Sequence, residues 1–107
     1  MHARVTQFEI DLVRIDATEA VERFKQLILP ALQSQPGYAG AYGLLGGDGK
    51  GELITLWETE EAAEAGLRSG YYEEQVAKFV TFFRAPPGRE HYAVVLADGP
   101  HVQSMHT

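Results

Sequence analysis

The chain is 107 residues long, 45% apolar and 22% charged, which fits one globular domain and excludes a multidomain assembly or a disordered chain. Nine Lys and Arg against fifteen Asp and Glu leave a net charge of −6, opposite in sign to the footprint that binding nucleic-acid phosphates requires. No cysteine is present, so the chain offers no disulfide, no thiolate metal ligand and no thiol nucleophile.

Residues 4–13 alternate, with Phe8, Ile10 and Leu12 on one face and Gln7, Glu9 and Asp11 on the other, the period of a half-buried strand. Asp16 is placed to cap a helix, with Glu19 three residues on in capping-box spacing. Val21, Phe24, Ile28 and Leu32 follow on one helical stripe, widened by Ala20, Leu27 and Ala31. Pro30 lies inside that pattern and predicts a kink; Pro36-Gly37 predicts a stop after Gln35. Residues 38–46 read as a strand with Tyr38, Gly40, Tyr42 and Leu44 on one face. The glycine-rich run from Gly46 to Gly51 lacks the spacing of a phosphate-binding loop and precedes no helix, so it reads as a hairpin turn. Residues 52–58 are the third strand, with Leu53, Thr55 and Trp57 on one face and Ile54 and Leu56 on the other, beside Glu52 and Glu58. Thr59 caps a second helix whose first turn carries Glu60 and Glu61. That helix is expected to break near Ser69-Gly70 and resume with Tyr72, Val76, Phe79 and Phe83 on one stripe, ending at Pro86-Pro87-Gly88. Residues 90–97 form the last strand, and 98–107 read as a tail.

Strand, helix, strand, strand, helix, strand is the order of the ferredoxin-like βαββαβ fold, an α+β domain with a four-stranded antiparallel sheet. Right-handed crossovers put both helices on one face of that sheet. The other face is left without cover although Ile54 and Leu56 lie on it, which predicts a homodimer. The N-terminus has no apolar h-region, and no apolar run approaches the ~20 residues that span a bilayer. A cytoplasmic protein, with neither membrane nor nucleic acid as partner, is the expectation.

Two segments carry a family resemblance. Pro36-Gly37-Tyr38-Ala39-Gly40, and Leu53 to Ala62 with its Trp57-Glu58-Thr59-Glu60-Glu61-Ala62 run, resemble the dimeric α/β-barrel proteins of the antibiotic-biosynthesis monooxygenase type. The likeness extends over residues 4–97. It implies a cofactor-independent monooxygenase acting on an aromatic or quinol-type small molecule, with no flavin or metal, the substrate supplying the electrons to dioxygen. Within the polar set of such oxygenases Trp57 matches. Leu53, Ala63 and Ala77 stand where asparagine, tyrosine and arginine would be. The resemblance's heme-degrading branch would require an asparagine, a tryptophan and an axial histidine where this chain has Phe8, Gly66 and Val76. The alternative is a non-enzymatic or stress-responsive barrel that binds a small apolar ligand.

Candidate catalytic residues are Trp57 and His91. Trp57 reads either as a core anchor at a strand-helix junction or as a pocket wall. His91 is the only histidine outside the terminal segments and could accept a proton near neutral pH; its alternative is a hydrogen-bonded structural role. Phe8, Tyr42, Leu53, Tyr72 and Phe79 are the candidate ligand contacts, with core packing the competing account of the aromatic ones. No two histidines have metal-ligand spacing, so no metal is expected. The acidic run Glu58, Glu60, Glu61, Glu64 reads as a solvated helix face.

Overall fold

The computed structural model describes residues 1–68, 70–84 and 88–99, without the side chains of Leu67, Tyr71 and Tyr72. Chain order is β1 (His2–Glu9), α1 (Ala17–Gln33), β2 (Tyr38–Leu45), β3 (Lys50–Trp57), α2 (Glu60–Leu67), α3 (Gly70–Val80) and β4 (Gly88–Ala93). The strands form one antiparallel sheet in the order β2-β3-β1-β4. This is the expected ferredoxin-like α+β arrangement. No helix among the described residues is long and apolar enough to cross a membrane.

Local chemistry sets most element ends. The Asp16 carboxylate accepts a hydrogen bond from the Glu19 amide at 2.8 Å, and the Thr59 hydroxyl accepts one from the Ala62 amide at 3.0 Å, so both helices start at the capping residues. α1 closes at the Ser34 cap, one residue before the expected Gln35, with Pro30 retained inside it. Gly37 then has φ +80°, and a Cβ there would lie 2.5 Å from the Cβ of Ala62. Only glycine permits both that backbone turn and the close approach of α2. The glycine-rich run is a hairpin between β2 and β3, closed by the Gly46 amide donating to the Lys50 carbonyl at 2.8 Å.

Four expectations are corrected. β1 occupies His2–Glu9 instead of 4–13: Asp11 accepts from the Val13 amide through its side chain and from the Arg14 and Ile15 amides through its carbonyl, turning the chain before Leu12 can extend the strand. Ile10 still joins the core through a bridge to Phe83, whereas Leu12 is 38% exposed. β4 is shorter than 90–97 because it pairs only along β1. Its register ends at His2 opposite Ala93, and Val94 donates a last bond to Met1. β2 carries a bulge between Tyr38 and Gly40. Tyr38 pairs with Trp57, but Tyr42 pairs with Ile54, so the two tyrosines expected on one face lie on opposite faces. The second helical piece, expected to carry Phe83 on its stripe and to end at Pro86-Pro87-Gly88, ends instead at Val80: the Phe82 amide donates to the Phe79 carbonyl in a turn, and Phe83 leaves the helix to bridge Ile10. Pro86, Pro87 and most of the expected tail lie outside the described residues.

The helices cover the sheet face that carries His2, Arg4, Thr6 and Phe8, and the core of Ile10, Ile28, Leu32, Trp57 and Phe79 lies between them and the sheet. The opposite face is bare. Two cross-strand rows occupy its centre: Tyr42, Ile54, Val5 and Glu90, then Gly40, Leu56, Ala3 and Tyr92. Tyr42 and Tyr92 are each about half exposed there.

Candidate functional site

The sheet register divides the covered face into two ends. One end holds the rows Tyr38, Trp57, His2, Ala93 and Ala41, Thr55, Arg4, His91. The other holds Gly43, Leu53, Thr6, Arg89 and then Leu45, Gly51, Phe8. They differ in what the side chains leave over.

The first end is solid. Trp57 is fully buried, and its indole Nε1 donates to the Thr55 hydroxyl at 2.9 Å, which in turn donates to the Arg4 carbonyl at 3.4 Å. Arg4 is also fully buried; its guanidinium lies 5.2 Å from the Trp57 ring centroid, and Nη1 donates to the Ala63 carbonyl at 2.8 Å. Tyr38 meets the indole edge-on at 5.7 Å between centroids, and burial pushes its hydroxyl pKa up. On α2, a Cβ at Gly66 would lie 2.6 Å from Cη2 of the indole. Trp57 therefore has its polar atom bonded and its ring in contact, with no surface left for a ligand.

The second end is hollow. β2 places Gly43 toward the helices there, followed by Leu45, and a Cβ built on Gly43 would meet nothing within 4 Å. The missing side-chain volume becomes an apolar chamber of about 390 Å³ under α1 and α3. Thr6, Phe8 and Leu53 form its floor, and Phe24, Ile28 and Phe79 reach it from the helices. Phe8 stacks on Phe83 at 5.6 Å, and Phe79 meets Phe83 edge-on at the same separation, so flat walls are held in place by one another. A larger depression of about 850 Å³ runs by the hairpin past Glu9, Lys50 and Glu52, but it is open to solvent and cannot exclude water. The more sheltered apolar chamber is the candidate site.

Of the residues expected to contact a ligand, Phe8, Leu53 and Phe79 line this chamber. Tyr42 does not: the β2 bulge turns it onto the bare face, where it is 49% exposed. The Tyr72 side chain lies outside the described residues. Neither Trp57 nor His91 lines the chamber. His91 is exposed on β4, its ring 6.0 Å from that of His2. Sequence reasoning missed Arg4, Thr6 and Arg89. Alternation did carry a signal for two of them, since Arg4 and Thr6 share the strand face of Phe8. Arg89 is one pleat repeat from His91, and only the pairing with β1 decides which of the two stands opposite Thr6. No cluster of metal-ligating side chains occurs among the described residues.

Compared by sequence, the chain matches no family model and no curated protein. Compared by structure, it is similar to a Bordetella bronchiseptica protein named as an antibiotic biosynthesis monooxygenase, at TM-score 0.75 and 17% identity over 89% of this chain and 97% of that one. It is also similar to SnoaB of Streptomyces nogalater, named as a cofactor-independent oxygenase, at TM-score 0.72 and 13% identity over 90% of this chain and 94% of that one. A Nitrosomonas europaea protein of unknown function matches at TM-score 0.72 and 19% identity over 94% of each chain. The chain has the ferredoxin-like α+β fold of proteins named as antibiotic biosynthesis monooxygenases, as the two sequence segments led one to expect. At these identities the likeness is one of fold, and fold alone does not assign chemistry.

Proposed function

We propose that this chain is a cofactor-independent monooxygenase that binds an aromatic or quinol-type small molecule in the chamber beneath α1 and α3. The observation that carries the reading is the chamber itself: apolar, partly sheltered by α1 and α3, walled by mutually packed phenyl rings, and built into a fold shared with a protein named as a cofactor-independent oxygenase. In the reaction, the substrate loses a proton and passes electrons to dioxygen. One oxygen atom enters the ring system as a carbonyl and the other leaves as water. The protein contributes orientation and the exclusion of bulk water. Trp57 acts on this reading as the anchor that holds β3 and α2 together, and His91, which does not line the chamber, is given no part in the reaction.

The working unit is proposed to be a homodimer joined through the bare sheet face. Support comes from Ile54, Leu56, Tyr42 and Tyr92, an apolar surface that a second copy of the same surface would cover. Cytoplasmic placement is likewise proposed.

One observation favours a second reading, a binding protein without catalysis: the indole N–H of Trp57 is already bonded to Thr55 and His91 stands outside the chamber. Oxygen-electrode measurements with an anthrone and a naphthohydroquinone separate the two. The oxygenase reading expects protein-dependent oxygen uptake that is lost when Gly43→Leu fills the chamber. Saturable binding of the same compounds without uptake would establish the binding protein instead.

A further inference from the structure

The chamber has a charge preference that its apolar walls conceal. The chain as a whole carries fifteen acidic residues against nine Lys and Arg, yet the charged side chains along the chamber are Lys25 and Arg89, with no carboxylate among its described lining. The two cations are not equivalent. Lys25 is already 3.6 Å from the Glu22 carboxylate on its own helix. Arg89 has no ion pair among the described residues. Its neighbour Glu90 alternates to the opposite face of the sheet, where it accepts a hydrogen bond from the Tyr92 hydroxyl. Nothing on its own strand therefore neutralises Arg89. On β4 it stands directly opposite Thr6, whose side chain is part of the chamber floor.

We propose that Arg89 selects ligands that carry an acidic oxygen, a carboxylate or phenolate, on an otherwise apolar and flat body. The body fills the space left by Gly43, and the anionic oxygen meets the guanidinium at the chamber's β4 side. A guanidinium offers paired donors in a plane, the geometry that suits a carboxylate, and Arg89, exposed at the chamber's rim, can present them there. This inference rests on the chamber being the binding site, as proposed above, and adds the chemical class of what enters. It also gives an ionised phenol, the electron-rich form of a quinol, a preferred orientation in the site.

Isothermal titration of the full chain with 2-naphthoate and with its methyl ester tests this directly, since the two probes share a body and differ in charge. At low salt the carboxylate is expected to bind about fivefold more tightly than the ester, the scale of a partly exposed ion pair. Arg89→Gln should reduce carboxylate binding to the level of the ester and leave the ester unchanged. Arg89→Lys should keep most of the preference, and raising the salt concentration should shrink it. Lys25→Gln should leave the preference in place. Equal affinities for the two probes, or a preference that survives Arg89→Gln, would overturn the role of Arg89 while leaving the chamber reading intact. Failure of both probes to bind would remove the chamber reading itself, and so would binding of both undiminished in Gly43→Leu, with Gly43→Val as the smaller replacement should the leucine variant misfold.

Discussion

The two ends of the helix-covered sheet face are built from the same strands and differ by two pleat repeats along β1, yet one is filled and the other hollow. At the filled end Trp57, Arg4, Thr55 and Tyr38 pack against one another, and α2 approaches so closely that Gly66 has no room for a methyl group. At the hollow end β2 sets Gly43 beside Leu53, and open space stands above Gly43. The lesson is that a binding chamber in this fold is made by subtraction. Rigidity comes from the buried anchor at one end, and volume comes from side chains withheld at the other. A tight interior tolerates neither added nor removed atoms, so the two ends should respond to mutation in opposite ways.

The largest effect is expected from Trp57→Ala, which removes the fully buried indole and leaves the Thr55 hydroxyl without its donor. A loss of about 3–5 kcal/mol in chemical denaturation is expected. A loss under 1 kcal/mol would mean the end is not the anchor described. Next comes Ile54→Asp, at the centre of the bare face between Tyr42 and Val5. Sedimentation should show the unmodified chain as a dimer at micromolar concentration and this variant as a monomer, because an unpaired carboxylate buried at an interface is strongly unfavourable. A monomer in both cases would leave the bare face unexplained by self-association.

The comparison is sharpest between two glycines. Gly66→Ala places a methyl group 2.6 Å from the indole and should destabilise the chain by about 1–3 kcal/mol, even though alanine is the better helix former. Gly43→Leu meets no neighbouring atom with its Cβ, so the melting transition should barely move while the chamber loses its volume and its ligands. Equal thermal shifts for the two would erase the distinction between the ends. The smallest effect concerns Tyr38. Burial raises its hydroxyl pKa in the folded chain above the ordinary value of 10.0, so the unfolded chain releases that proton first. Stability should be level with respect to this group below about pH 10 and fall as pH rises through the raised value. Tyr38→Phe should flatten that fall in denaturation midpoints measured from pH 9 upward.

Much of the architecture is local in origin and was legible as such. The alternation Leu53, Thr55, Trp57 against Ile54, Leu56 is a period of two, and the first three are buried while the latter two face the bare side. Asp16 and Thr59 cap the helices they precede because the capping bond spans only three residues. Errors arose where alternation was carried through an irregularity. In β2 the signal was available: Gly40, at φ +152°, is a glycine inside a strand, the usual mark of a bulge, and every residue after it changes face. That single slip moved Tyr42 out of the candidate site.

Other features had no local signature. Arg4 reads as a surface strand residue until the register sets it against Thr55 and beneath α2, where the Ala63 carbonyl and the Trp57 ring receive it. Arg89 and His91 share a strand face and are both exposed, and only pairing with β1 sets Arg89 at the chamber and His91 away from it.

Element order, the helix caps, the turn at Pro36-Gly37 and the two-sided character of the sheet are legible in the residue pattern, because each follows from interactions within a few residues or from a short period. Tertiary structure alone decided where the chamber lies, that Trp57 is an anchor outside it, and that Arg89 stands at its side. Those depend on strand register and on absent volume, and an empty space is a relation among distant residues that none of them encodes singly.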